Sequence, residues 1–416
     1  MESGDRSGEA RPAATAEDLI ARADVAAARA AIAGAALHTP TIVSAELSER
    51  SGTAVSLKAE CLQVTGSFKL RGALNKVASL GEHASAGLIT ASAGNHGRAL
   101  AQAARVRGVG CEVFMPVDAA VSKVAAVERL GAHVDLQGGS VDEALAAAHA
   151  RAQETGAALV HPFDDIDVIS GQGTLGAELL EDVPDLSRVL VPVGGGGLAA
   201  GTGIALRGAG VELIGIQAAA CAPYAEALAG RPSAHPPSAA TIADGIAIKR
   251  PGELTLPLLR ELLDDLQTVG EDEIAESMVF LAENAKLVVE GAGAVGVALL
   301  LGGRLPPVAG TTVAIVSGGN VDSGLLASML RRRETEQGRR VRLFTRVPDQ
   351  PGGLAELLGR VAHARANLVT LEHIREAVPL HVRETGVELT LETRGPEHTR
   401  AVVAELEQAG YTVTIE

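Results

Sequence analysis

The sequence predicts an α/β fold, with parallel sheets and flanking helices in two domains, followed by a smaller C-terminal sandwich of order βαββαβ. Three observations carry this. Up to about residue 326, short β-branched or Leu-rich runs alternate with helix-length patterns, as in strands buried under helices on both faces. One of those runs, Val189-Leu190-Val191-Pro192-Val193, leads into Gly194-Gly195-Gly196-Gly197 and then a helical stretch, so a strand turns through glycines into a helix. After about residue 340 the pattern changes to four strands and two helices over about 75 residues.

The elements follow in order. Residues 1–16 are polar and read as a flexible tail. Ala13–Ala36 is an Ala-rich helical pattern. Leu88–Thr90, Cys111–Met115, Val189–Val193, Leu213–Gln217 and Thr312–Val316 are apolar runs of strand length. Val121–Leu130, Val141–Thr155 and Glu271–Ala285 have helical length and separate them. Arg331–Arg340 is charged and free of apolar anchors, a solvated linker or helix end. Then come strand Val341–Val347, helix Leu354–Arg365, strands Asn367–Arg375 and Gly386–Glu392, helix Thr399–Ala409 and strand Tyr411–Ile415. The resulting division is a tail (1–16), a large domain (17–60 and 160–328), a small domain (61–159), a linker (329–340) and a C-terminal domain (341–416).

The chain has 416 residues, 47% hydrophobic and 21% charged, enough for two or three packed domains. Its net charge of −15 argues against nucleic acid or an anionic membrane as a partner. Cys61, Cys111 and Cys221 form neither a disulfide framework nor a metal spacing, which suits a reducing cytoplasm and predicts no metal site. The N-terminal residues lack an apolar signal core, and the longest apolar run, Gly291–Gly303, is too short to span a bilayer.

The chemistry centres on Ser67-Phe68-Lys69-Leu70-Arg71-Gly72-Ala73. Only six lysines occur in the chain, and this one opens an apolar helical segment after a turn. A lysine so placed is ordinarily a solvated surface residue. Desolvated, it has a lowered pKa and acts as nucleophile and base. The tetraglycine loop at a helix start suits phosphate, through backbone N–H groups and the helix dipole. A tight turn would need fewer glycines. The nucleotide alternatives fit poorly. Gly195, Gly197 and Ala200 match a dinucleotide loop loosely, but Gln217 stands where a ribose-binding acid belongs. Leu198 and Ala199 follow the glycines where a phosphate-loop lysine would stand. A phosphate cradle plus an isolated lysine suggests pyridoxal phosphate, whose aldehyde needs a lysine. Thr90-Ala91-Ser92-Ala93-Gly94-Asn95-His96-Gly97 and Ser317-Gly318-Gly319-Asn320 each follow a strand and read as hydrogen-bonding loops, or simply as helix caps or turns.

These motifs, with Gly171-Gln172-Gly173-Thr174 and Ala243-Asp244-Gly245-Ile246-Ala247-Ile248-Lys249, occur in the order seen in threonine dehydratases. Over about residues 35–326 the chain resembles that family, whose members are fold-type II pyridoxal phosphate enzymes. Val341–Glu416, with Pro348-Asp349-Gln350-Pro351-Gly352-Gly353, resembles an ACT domain. The resemblance implies that Lys69 carries the cofactor aldehyde and removes the substrate Cα proton. It implies that Phe68 lies against the ring and that Asn95 bonds the ring hydroxyl. Gly194, Gly195, Gly196, Gly197 and Leu198 would hold the phosphate, Ser317 would face the ring nitrogen, and Glu290 would lie near the cofactor. Ser92, Ala93, Gly94, Asn95 and His96 would surround the substrate carboxylate. The implied reaction converts L-threonine to 2-oxobutanoate, and L-serine to pyruvate, each with ammonia. Isoleucine or valine would act at the ACT domain, in a homodimer or homotetramer. Glu290 reads equally as a helix N-terminal carboxylate.

Three departures bear on specificity. Ala93 stands where the related serine racemases carry a serine, so racemisation should be poor. Gln217, with Cys221 and Pro223 nearby, replaces the metal-binding acid of those relatives, and amides hold hard cations weakly. Gly97-Arg98 replaces the usual small-residue or Gln pairs. A serine racemase, a hydroxyamino-acid dehydratase of other specificity, and a non-catalytic amino-acid sensor are the alternatives.

Overall fold

The computed structural model describes residues 14–231, 241–375 and 381–416, so most of the expected tail lies outside the described residues. Residues up to Val321 form one unit and Asp322–Glu416 a second. The first unit holds the strands β1 Thr41–Val43, β2 Val55–Ala59, β3 Leu88–Ala91, β4 Cys111–Met115 and β5 His133–Leu136. It also holds β6 Ala158–Leu159, β7 Leu186–Pro192, β8 Glu212–Ala218, β9 Asp265–Val269 and β10 Thr311–Val316. Six of these make a sheet of order β1-β2-β10-β7-β8-β9, parallel except for the β1–β2 pair. The other four make a parallel sheet of order β5-β4-β3-β6. Each sheet has its own packed core, one including Leu70, Leu100 and Val113, the other Val191, Leu198 and Ile315.

The Ala-rich segment Ala13–Ala36 is not one helix. It breaks into Ala16–Arg22 and Val25–Ile32 because the Asp24 carboxylate caps the second, accepting from the Ala27 amide at 2.8 Å. The expected helix Glu271–Ala285 runs to Phe280 and widens into a π-turn, Leu281–Ala285. Strand β2 defeats the apolar pattern because Lys58 points inward. Its ammonium is fully buried and held by Glu178 at 2.7 Å and Asp182 at 3.0 Å.

Gly171-Gln172-Gly173-Thr174 lies inside the helix Ile166–Asp182, where it serves close packing. A Cβ on Gly171 would lie 2.6 Å from the Arg71 carbonyl oxygen, and one on Gly173 2.8 Å from that of Gly201. The helix Lys69–Ser79 therefore lies backbone to backbone on its neighbour. Arg71, 1% exposed, locks it there by ion pairs to Glu60 at 2.8 Å and Glu178 at 2.7 Å.

The second unit contains helix Ser323–Glu336, β11 Arg340–Pro348, helix Gly353–His363, β12 Asn367–Ile374, β13 Glu384–Glu392, helix Pro396–Gln408 and β14 Thr414–Ile415. Its antiparallel sheet has order β12-β13-β11-β14, the expected βαββαβ arrangement. The expected linker 329–340 is helical as far as Glu336. Asp322 caps that helix, accepting from Gly324 N at 2.9 Å, Met329 is its buried anchor, and Arg332 pairs with Glu336 one turn on at 2.9 Å. The last strand is shorter than Tyr411–Ile415, because Tyr411 and Val413 pack on the core instead.

Candidate active site

The carboxyl ends of β3, β7 and β10 face one cavity of about 370 Å³. Its wall contains Phe68, Lys69, Ser92, Ala93, Gly94, Asn95, His96, Gly194, Gly195, Gly196, Gly197, Leu198, Glu290 and Ser317. Every residue named from the sequence as a site residue is thus brought together.

Lys69 is the first residue of its helix, which no side chain caps. The turn before it is stitched to the loop after β10. Ser67 pairs with Gly318, the Phe68 amide donates to the Ser317 carbonyl at 3.0 Å, and the Gly319 amide donates to Gly66 at 2.9 Å. The Lys69 amine donates to the Pro162 carbonyl at 2.8 Å and lies 5.2 Å from the centre of the Phe68 ring. No carboxylate among the described residues is within ion-pair distance. Burial therefore dominates and lowers the Lys69 pKa to about 8, with the Glu290 carboxylate opposing.

Helix Gly197–Leu206 starts at Gly196, whose φ of +87° favours glycine, and no side chain caps it. Its first N–H groups are left for a ligand. The missing Cβ atoms face protein, not only the cavity. A Cβ on Gly195 would lie 2.1 Å from the Phe163 ring, and one on Gly194 2.9 Å from Ile246 Cα. The Tyr224 hydroxyl donates to the Gly195 carbonyl at 2.8 Å, tying down the outer side of the loop. Glycine is required on both sides, by the packing behind and by the opening in front.

The loop after β3 presents Ser92, Ala93 and Gly94 to the cavity, with the Gly94 amide donating to the Ser92 hydroxyl at 3.2 Å. Gly94, rather than Ser92 or Asn95, occupies the cap position of helix Asn95–Arg107, and it has no side chain to cap with. His96 is buried, with Nε2 3.2 Å from the Val160 carbonyl. A carbonyl only accepts, so Nε2 carries the hydrogen. Burial, reinforced by Lys69, holds the His96 pKa down at about 3. This imidazole is neutral and brings no positive charge to a substrate carboxylate.

Asn95 donates to Glu290 Oε1 at 2.7 Å and accepts from Asn320 at 2.6 Å. Glu290 is 5% exposed, and burial, with Asp244 adding, pushes its pKa up to about 7. Although Glu290 precedes helix Gly291–Leu301, it does not cap it through its side chain. Gln217 has both ends of its amide engaged, donating to Val193 O at 3.1 Å and accepting from Ala225 N at 3.0 Å, so it serves as a clamp after β7.

Sequence reasoning missed several wall residues. Pro162, Phe163 and Asn320 line the cavity, as do Lys123 and Asp244, which pair at 2.9 Å. A second pair, Lys249 with Asp142 at 2.6 Å, likewise joins the segment after Ala243 to the helix Val141–Thr155. Asn320 ends a motif the sequence showed, but a carbonyl acceptor such as Pro162 leaves no residue-type signal.

The arrangement fits pyridoxal phosphate. An amine without a counter-carboxylate suits the aldehyde, an uncapped glycine-rich helix start suits the phosphate, and the Ser317 hydroxyl, at the end of β10, suits a ring nitrogen. Among the described residues there is no cluster able to hold a metal ion.

A family model described as pyridoxal-phosphate dependent enzyme matches residues 32–318. An L-threonine ammonia-lyase of Geobacter sulfurreducens is 43% identical over 91% of this chain and 95% of its own. An L-threonine ammonia-lyase of Thermotoga maritima is 42% identical over 95% of this chain and 100% of its own. Among solved structures, maize serine racemase is similar with a TM-score of 0.69 at 34% identity, over 78% of this chain and 99% of that one.

Proposed function

The chain belongs to the pyridoxal-phosphate dependent enzyme family, and on that premise we propose that it deaminates L-threonine to 2-oxobutanoate and ammonia, and L-serine to pyruvate and ammonia. Its cofactor is pyridoxal 5'-phosphate, which when bound withdraws electrons from the substrate Cα and so acidifies its hydrogen. The observation that carries the reading is the Lys69 amine, buried with no carboxylate partner among the described residues and depressed to about 8, in the same cavity as the uncapped glycine helix.

The chain's own residues divide the work. The amides of Gly194–Gly197 and Leu198 would hold the phosphate end, and Phe68 would flank the ring. Asn95 would bond the ring hydroxyl. The loop Ser92–Asn95 receives the substrate carboxylate through N–H groups and the Ser92 hydroxyl, with His96 setting the loop from behind. Lys69, neutral in an appreciable fraction at neutral pH, takes the Cα proton. Ser317 would face the ring nitrogen, and a hydroxyl there, unlike a carboxylate, would not enforce its protonation, which would favour loss of the β-hydroxyl over transamination. The substrate loses water, and the released enamine takes water back as it yields oxo acid and ammonia.

Ala93 argues against racemisation. By the resemblance it stands where serine racemases keep their proton donor on the face opposite Lys69, and a methyl group has no proton to give. Chiral analysis after incubation with L-serine tests this: pyruvate with little D-serine is expected, and substantial D-serine would favour the racemase reading. The sensor reading needs no chemistry at Lys69, so loss of 2-oxobutanoate formation in Lys69→Ala speaks against it.

Residues 341–416 are read as an ACT domain that binds isoleucine or valine and regulates the activity, in a homodimer or homotetramer. No described helix is long and apolar enough to cross a membrane, and the free cysteines suit the cytoplasm. Steady-state kinetics on threonine and serine, with and without isoleucine, test the assignment. Threonine turnover that responds to isoleucine is expected; no turnover of either substrate would overturn it.

A further inference from the structure

Arg98 lines the cavity but has no part in the chemistry so far described. It is half-buried, and no carboxylate among the described residues pairs with it. Its Nε is buried without an acceptor among the described residues. Burial lowers its pKa and the neighbouring Arg129 adds repulsion, with the Glu290 carboxylate opposing both. A half-buried cation held against desolvation, with a donor left unpaired, calls for a role.

Its one strong contact supplies that role. Arg98 donates through one guanidinium nitrogen to Asn320 Oδ1. Asn320 Nδ2 donates to Asn95 Oδ1 at 2.6 Å and to the Thr65 carbonyl at 3.0 Å. Asn95 Nδ2 donates to Glu290 Oε1 at 2.7 Å. The four side chains form one directed chain. A guanidinium only donates, so Asn320 must turn its oxygen to Arg98 and its nitrogen to Asn95. Asn95 must then accept with its oxygen, which leaves its nitrogen for Glu290 and the cavity. The far end does not fix this direction by itself. Glu290 titrates near neutrality, and a protonated carboxyl donates as well as accepts.

We propose that Arg98 is a positioning residue: acting through Asn320, it fixes the side-chain amide of Asn95 so that an N–H, not a carbonyl, faces the cofactor's ring hydroxyl. The inference rests on the reading of Asn95 as the cofactor's ring partner. It explains why a charged residue occupies the position after Gly97. A lysine, also donor-only, would fix the same direction; a side chain without a donor would leave the Thr65 carbonyl alone to hold Asn320 in that direction and so loosen its hold on Asn95.

The test uses cofactor-free full-length protein titrated with pyridoxal phosphate, reading the dissociation constant and the absorption maximum of the loaded form. Arg98→Met keeps the stem and removes the donor. Asn320→Asp keeps Arg98 paired but presents only oxygen to Asn95, forcing its amide to turn. Both variants should bind the cofactor about tenfold more weakly, as loss of one hydrogen bond to a charged group implies, and shift the absorption maximum. Arg98→Lys should restore both readouts to within about threefold of the native protein. Thermal melting of the cofactor-free variants separates misfolding from mispositioning. Native affinity and an unshifted maximum in Arg98→Met overturn the proposal, as does failure of Arg98→Lys to rescue. If the native protein itself binds no pyridoxal phosphate, the functional reading fails instead, and that shows in the native sample alone.

Discussion

Raising the pH on the cofactor-free protein should uncover the Lys69 amine well before an ordinary lysine. The Lys69 pKa falls from 10.5 to about 8 because the ammonium is desolvated, with its hydrogen bond going to the Pro162 carbonyl rather than to a carboxylate. At pH 7 about one Lys69 in ten is neutral, against about one in three thousand for an unperturbed lysine, roughly a 300-fold difference. Competitive labelling with a small acylating reagent between pH 6 and 11, read by peptide mass spectrometry, measures this directly. The same peptide in urea is the reference. The folded protein should give a midpoint near 8 and the unfolded chain one near 10.5. Coincident midpoints near 10.5 would refute the claim that burial prepares this amine for chemistry.

The same shift has a stability consequence. A lysine whose folded pKa is lowered destabilises the fold fully below about 8, and the penalty fades as pH rises to 10.5, because in that window only the unfolded chain holds the proton. Cofactor-free Lys69→Met should therefore be more stable than native protein at pH 7, by at most about 3 kcal/mol, with the gap in urea unfolding closing by high pH. Gly195→Ala drives a Cβ to 2.1 Å from the Phe163 ring, so it should lose about 1–3 kcal/mol in thermal unfolding and weaken cofactor binding as the loop shifts. An unchanged melt would remove the packing account of that glycine. Arg71→Met leaves Glu60 and Glu178 without their shared guanidinium and should destabilise by about 3–5 kcal/mol in urea unfolding, whereas a loss under about 1 kcal/mol would mean the buried network relaxes.

Much of the site was legible because its chemistry needs rare residue types at strand ends. An isolated lysine, four consecutive glycines and a serine after a strand are each visible in one dimension, and all line one cavity. What escaped was carried by partners distant in sequence. Strand β2 reads as polar because Lys58 is buried only by virtue of Glu178 and Asp182, more than a hundred residues on. The short β1 and β6 exist because neighbours pair with them, which their few residues cannot announce. Gly171–Thr174 counted in the sequence only as one motif of the resemblance; its glycines prove to be spacers between helices. The resemblance placed His96 around the substrate carboxylate; that its Nε2 turns toward the Val160 carbonyl is a property of the fold that no single residue announces. The charged run after Arg331 lacks an apolar face, and the helix there is nucleated by the Asp322 cap and Met329 just before it.

The central claim is that Lys69, among the six lysines, holds the cofactor. Borohydride reduction of the pyridoxal phosphate-loaded protein, followed by peptide mapping, tests it most directly. A single reduced cofactor adduct on Lys69, absent from Lys69→Ala, is the expected result. An adduct on Lys58, Lys76, Lys123, Lys249 or Lys286 instead, or no adduct at all, would contradict it.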